Sequence, residues 1–87
     1  MKILAKPIDV LARFDVEGIP TPIKIKLEDE DQAERVIKIE YILFREKLRY
    51  EKSFIWSIRC RGIINDVIKD FEIRYCCPTT TWTLYRI

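Results

Sequence analysis

Eighty-seven residues weighing 10.5 kDa are enough for one domain, spanning 1–87, and too few for two. A hydrophobic content of 48 % beside 34 % charged residues excludes a disordered tail, and the scattered charges leave no apolar run of about 18 residues to cross a membrane. The net charge is only +2, but five of the 14 acids fall in Glu28-Asp29-Glu30-Asp31-Gln32-Ala33-Glu34, so the rest of the chain carries +7.

The segment from Arg45 to Arg61 holds Arg45, Lys47, Arg49, Lys52, Arg59 and Arg61 against Glu46 and Glu51. Such asymmetry is compatible with a polyanionic partner, but the favoured reading is charged loops that keep a β-rich surface soluble and its edges unpaired. Cys60, Cys76 and Cys77 form no C-x-x-C pattern, and without histidine no zinc shell is complete, so no metal site is expected. Adjacent Cys76 and Cys77 on a strand point to opposite faces, so they are read as small hydrophobes rather than a disulfide or a redox switch. Near the start, Ile3-Leu4-Ala5 lies between Lys2 and Lys6-Pro7, far short of a signal peptide's apolar region, which leads to the expectation of a cytoplasmic protein.

Taken in order, Ile8, Val10, Ala12 and Phe14 alternate with Asp9, Leu11 and Arg13, which predicts a strand over about 7–14. Asp15-Val16-Glu17-Gly18-Ile19-Pro20 supplies turn chemistry, and Ile23, Ile25 and Leu27 then alternate with Lys24, Lys26 and Glu28 as a second strand. Between Val36 and Phe44 two patterns coexist. Ile37, Ile39, Tyr41 and Leu43 alternate, while Ala33, Ile37, Tyr41, Phe44 and Leu48 form a helical stripe supported by acids at its start and bases at its end. The β-branched run Val36-Ile37-Lys38-Ile39 favours the strand, followed by a basic loop over 45–52.

A two-residue turn at Asn65-Asp66 makes the hairpin around it testable within the sequence. Phe54, Trp56, Ile58 and Cys60 then fall opposite Cys77, Tyr75, Ile73 and Phe71, giving one apolar face, while Arg59 meets Glu72 and Arg61 meets Asp70 on the other. A slip of one residue would lose both charge pairs and mix the faces. Beyond Pro78-Thr79-Thr80-Thr81, the alternation from Trp82 to Ile87 predicts a sixth strand, with Trp82 beside Cys77, Leu84 beside Tyr75, and Tyr85 near Arg74. The expected fold is all-β: an antiparallel meander of about six strands curled into a small SH3-like barrel or half-barrel. Its expected core is Ile8, Val10, Phe14, Ile23, Ile25, Ile37, Ile39, Phe54, Trp56, Ile58, Phe71, Ile73, Tyr75, Trp82 and Leu84.

Catalytic chemistry is poorly represented. Ser53 and Ser57 have no histidine to activate them, two glycines cannot build a phosphate cradle, and the acidic run lacks the spacing of a calcium loop and reads as a solvated turn. No catalytic, cofactor or metal residue is assigned, and no small-molecule substrate or membrane partner is expected. Two binding readings stay open. As a nucleic-acid accessory domain, the chain would use Arg45, Lys47, Arg49, Tyr50 and Lys52 within the basic segment 45–61, bases stacking on aromatics while cations follow phosphates. As a non-enzymatic protein-binding or homodimer-forming module, the favoured reading, it would present Ile42, Phe44, Ile55, Ile63 and Ile68 as an outer apolar patch.

The strings Pro7-Ile8-Asp9-Val10, Gly18-Ile19-Pro20-Thr21-Pro22, Arg35-Val36-Ile37-Lys38-Ile39 and Trp82-Thr83-Leu84-Tyr85-Arg86-Ile87 together resemble a family of short uncharacterised bacterial proteins, domains of unknown function. Members carry a Gly and Pro turn, an extended hairpin and a terminal aromatic strand, and some similar actinobacterial proteins are associated with translesion DNA polymerases. The resemblance implies an all-β fold and a bacterial cytoplasm, and it carries no site residue onto this chain.

Overall fold

The computed structural model describes residues 1–28 and 33–87; the acidic run at 29–32, read above as a solvated turn, lies outside the described residues. Six antiparallel strands follow one another as β1 (Ile3–Phe14), β2 (Pro20–Glu28), β3 (Glu34–Tyr50), β4 (Ser53–Ile64), β5 (Val67–Cys76) and β6 (Thr81–Arg86). They form a closed barrel in chain order, with β6 returning to pair with β1. The fold is therefore all-β, the closed form of the small SH3-like barrel expected from the alternation of apolar residues. Ile25, Ile37, Ile39, Ile58, Cys60, Phe71, Ile73 and Leu84 fill its interior, and Ile8, Val10, Trp56 and Trp82 pack against them.

Strand by strand, the sequence reading holds best where turn chemistry is explicit. Asn65 and Asp66 take φ of 52° and 63°, the left-handed pair of a type I′ turn, and the β4–β5 register runs from Ile55↔Cys76 to Ile64↔Val67 as the hairpin argument required. At the β1–β2 connection, Asp15 Oδ1 accepts hydrogen bonds from the backbone N–H of Glu17 and Ile19, both at 2.9 Å, while Gly18 adopts φ 81°.

Elsewhere the structure departs from expectation. Residues 45–52 are not a loop: β3 runs on to Tyr50, and β4 begins after a turn at Glu51-Lys52. Glu51 holds φ 53° there, a conformation usually left to Gly or Asn, so the turn carries no sequence signal. Two register shifts in the β3–β4 ladder, between Ile39 and Tyr41 and between Ile42 and Phe44, break the simple alternation. Through them Ile42 packs on the core like Ile39 instead of sharing an outer face with Phe44. Cys77 belongs to the turn before β6, so Trp82 pairs with Tyr75 and Leu84 with Ile73, two residues from the expected register; a shift of two preserves the apolar face. Phe14 and Ile23, assigned to the core, are exposed, and Phe54, Trp56, Tyr75 and Trp82 are only half-buried.

The same long β3 leaves the barrel wall uneven. Its ladder with β2 ends at Lys24↔Lys38, although β3 continues for 12 residues beyond Lys38. The strand opposite opens with Pro20-Thr21-Pro22, and two prolines remove two N–H donors from that stretch. The β3–β4 ribbon accordingly rises past the rest of the barrel, and the molecule as a whole measures 38 × 23 × 22 Å.

Candidate functional site

Six strand ends meet where β1, β3 and β5 finish and β2, β4 and β6 start. At this mouth Phe14 stands edge-on to Tyr75 with ring centroids 5.2 Å apart, and Tyr75 tilts against Trp82 at 4.9 Å. Trp56 is the β4 neighbour of Tyr75 in the ladder, so the aromatic row continues into the ribbon. There Lys47 Nζ lies 3.9 Å above the Phe54 ring centroid and 5.5 Å from that of Trp56, within cation–π range. Arg49, Lys52 and Ser53 complete a shallow hollow beside Phe54. The hollow at the opposite barrel end has no aromatic lining: its apolar residues are Leu and Ile, with Lys6, Glu28 and Arg35 around them.

The basic residues singled out from sequence divide into two groups. Lys47, Arg49 and Lys52 are exposed and line one hollow on the ribbon, whereas Tyr50, exposed opposite Ser53, is not among the residues of that hollow. Arg45 is not available with them. Half-buried, it donates from Nε to the Pro20 carbonyl at 3.1 Å and from Nη2 to Thr21 Oγ1 at 3.0 Å.

The proposed apolar patch also divides. Phe44 is 59 % exposed on the outer face opposite Arg59, and Tyr41, opposite Arg61, is 66 % exposed. Ile63 and Ile68 face one another across β4 and β5, 53 % and 69 % exposed, at the far end of that hairpin. Ile55 is half-buried opposite Leu48, and Ile42 contributes to the core, so neither extends the patch. Tyr41 was missed because the β3 bulges are invisible to simple alternation.

Charge pairing on the hairpin is half as expected. Arg61 holds Asp70 in a two-pronged bond of 2.7 and 3.1 Å, which keeps the Asp70 carboxyl below its ordinary range. Glu72, opposite Arg59, turns instead to Ser57 Oγ at 2.7 Å, Arg74 Nε at 2.8 Å and Arg86 Nε at 2.6 Å. Only 3 % of Glu72 is exposed, and Arg74 stacks 3.4 Å over the Tyr85 ring beside it. Burial pushes the Glu72 carboxyl up, but the bonds from Arg74, Ser57 and Arg86 together outweigh it and hold the pKa down.

All three cysteines are free, and burial raises the Cys60 thiol to about 12, which leaves it inert at neutral pH. Among the described residues no three His, Cys, Asp or Glu side chains come together to hold a metal ion. No family model, curated protein or solved structure matches the chain, so the site rests on its own geometry.

Proposed function

We propose that the protein is a binding module rather than an enzyme, and that it holds another protein against the outer face of the β3–β4 ribbon. The observation that carries this reading is the position of Tyr41 and Phe44. Both rings stand largely exposed on the outer face of β3, where the strand has lost its ladder to β2. Large exposed aromatics beside a strand edge without a ladder suit a protein contact, since the rings supply apolar area and the edge supplies backbone hydrogen-bonding groups. Arg61 is already committed to Asp70, while Arg59, opposite Phe44, joins no ion pair among the described residues, so the rim of this face is polar and carries a cation for a carboxylate of the partner.

A photoreactive phenylalanine analogue placed at Phe44 in cells tests this directly. The expected result is a discrete protein adduct that disappears when Tyr41→Glu is added, with none from the same probe at Val16 in the exposed β1–β2 turn. The adduct's mass separates a second copy of the chain, joined about a two-fold axis, from a different protein. Absence of any adduct at Phe44 overturns the reading.

A further inference from the structure

Five of the chain's ten aromatic side chains, both tryptophans among them, gather at one barrel end: Phe14, Phe54, Trp56, Tyr75 and Trp82. A barrel end does not require this, because the hollow at the opposite end is lined by Leu and Ile with Lys6, Glu28 and Arg35 and by no aromatic. Nor are these rings used up by burial, since Phe14 is exposed and the other four half-buried. The Phe14–Tyr75 and Tyr75–Trp82 pairs meet at 61° and 47° rather than face to face, so neither pair is a closed parallel stack.

Cations are interleaved with the rings. Lys47 sits on Phe54 and near Trp56, with Arg49 and Lys52 around the same hollow. Among the described residues none of the three joins an ion pair, whereas Arg61, Arg74 and Arg86 each hold a carboxylate. Of the acids nearest in sequence, Glu46 lies opposite Ser57 in the ladder, and among the described residues neither it nor Glu51 forms an ion pair with them.

A ligand satisfying both features needs planar π faces and negative charges in alternation along its length. An acidic peptide has the charges without the rings, and a duplex has both but keeps its base faces stacked inside. We propose that this mouth, with the inner face of the ribbon above it, binds single-stranded nucleic acid, its bases stacking on the half-buried rings and its phosphates meeting Lys47, Arg49 and Lys52. Lys47 rests on the ring that a base would use, so on binding it leaves Phe54 and moves to the adjoining phosphate. Arg45 takes no part, being tied to Pro20 and Thr21. The site lies on a different surface from Tyr41 and Phe44, so the two readings stand or fall separately.

Because both tryptophans lie at the mouth, the protein reports on itself. Unlabelled oligothymidine and oligouridine, titrated at low salt, are expected to quench tryptophan emission with a micromolar midpoint that weakens as salt rises. Replacing Lys47, Arg49 and Lys52 together by Ala should weaken binding by about tenfold or more and make the log–log salt slope shallower by about two, roughly 0.7 per single-strand phosphate contact. Trp82→Phe should remove part of the quenching without changing the slope, and circular dichroism of each variant checks the fold. Val67→Thr, uncharged and exposed at the far end of the β4–β5 hairpin, should leave the titration unchanged. The proposal is overturned by no response at low salt, by an equal response to a duplex or to polyglutamate, by a triple variant that binds as well as the parent, or by loss of binding in Val67→Thr.

Discussion

Arg45 reaches from β3 to β2 and donates to the Pro20 carbonyl at the level where the backbone ladder between those strands has already ended. A side chain thus makes a bond across the wall that proline-interrupted backbone does not. Hydrogen bonds from a charged donor contribute about 1.5–3 kcal/mol, so Arg45→Ala should lower unfolding stability by about that much. Arg49→Ala, four residues on and exposed, should stay within about 0.5 kcal/mol. Urea titration of both variants separates a structural arginine from a surface one, and equal losses would contradict the assignment.

Gly62 sits opposite Ile39, beside the first β3 bulge. A Cβ there would come within 2.8 Å of the Lys38 carbonyl oxygen and 3.3 Å of both Ile37 and Phe71. Backbone cannot swing away as a side chain can, so Gly62→Ala should destabilise by about 1–3 kcal/mol, the usual cost of overpacking. The thermal midpoint is the readout, and an unchanged midpoint would show that β3 yields at its bulge.

Glu72 should give stability a definite dependence on pH. Its folded-state pKa lies below the unfolded value of about 4.3, so its contribution is fully present above that pH and disappears as pH falls through the folded value. Asp70, held low by Arg61, adds a dependence of the same sign. Glu72→Gln should cost about 1–3 kcal/mol at neutral pH. Denaturation curves for parent and variant should then converge as the solution is acidified, and a gap that persists or widens in acid would contradict this account.

In the Asn65-Asp66 turn both residues are left-handed, a backbone for which Asn-Gly is the preferred pair. Asp66→Gly should therefore raise stability by up to about 1 kcal/mol by relieving the Cβ at φ 63°. The same replacement at Glu51, φ 53°, should act in the same direction on the other long hairpin. A drop in the denaturation midpoint of either variant would show that its side chain makes a contact worth more than the backbone strain.

Legibility followed the residues that announce their own backbone. Asn65-Asp66 fixed a register, and the register placed Ile58, Cys60, Phe71 and Ile73 inside and Arg61 on Asp70. Glu51-Lys52 announces nothing, so the last six residues of β3 were read as loop and the ribbon that carries the candidate sites was missed. Ile42 was misplaced because a bulge changes which parity faces inward, a matter settled by the neighbouring strand. Glu72 was given Arg59 as its partner because they face each other in the ladder. In three dimensions Arg86, from a strand whose register was off by two, comes closer to its carboxylate. The aromatics of the mouth were recognised as inward-facing; that an inward position near a barrel rim remains half-open is a property of depth along the strand, which alternation does not encode.

Closure of the barrel joins the most distant parts of the chain: Lys2 N–H donates to the Ile87 carbonyl at 2.7 Å and Ile87 N–H to the Lys2 carbonyl at 3.0 Å. Until β6 docks, β1 and β5 each present a bare edge, so the final pairing is both the most costly in chain entropy and the one that ends exposure to aggregation. With its ends already adjacent, the barrel is suited to circular permutation. Joining residues 1 and 87 through a short linker and opening the chain in the Asp15–Gly18 turn would make β1–β6 a local hairpin and β1–β2 the long-range pair. Such a permutant should keep the fold while moving the slow step of its formation to a different seam of the barrel.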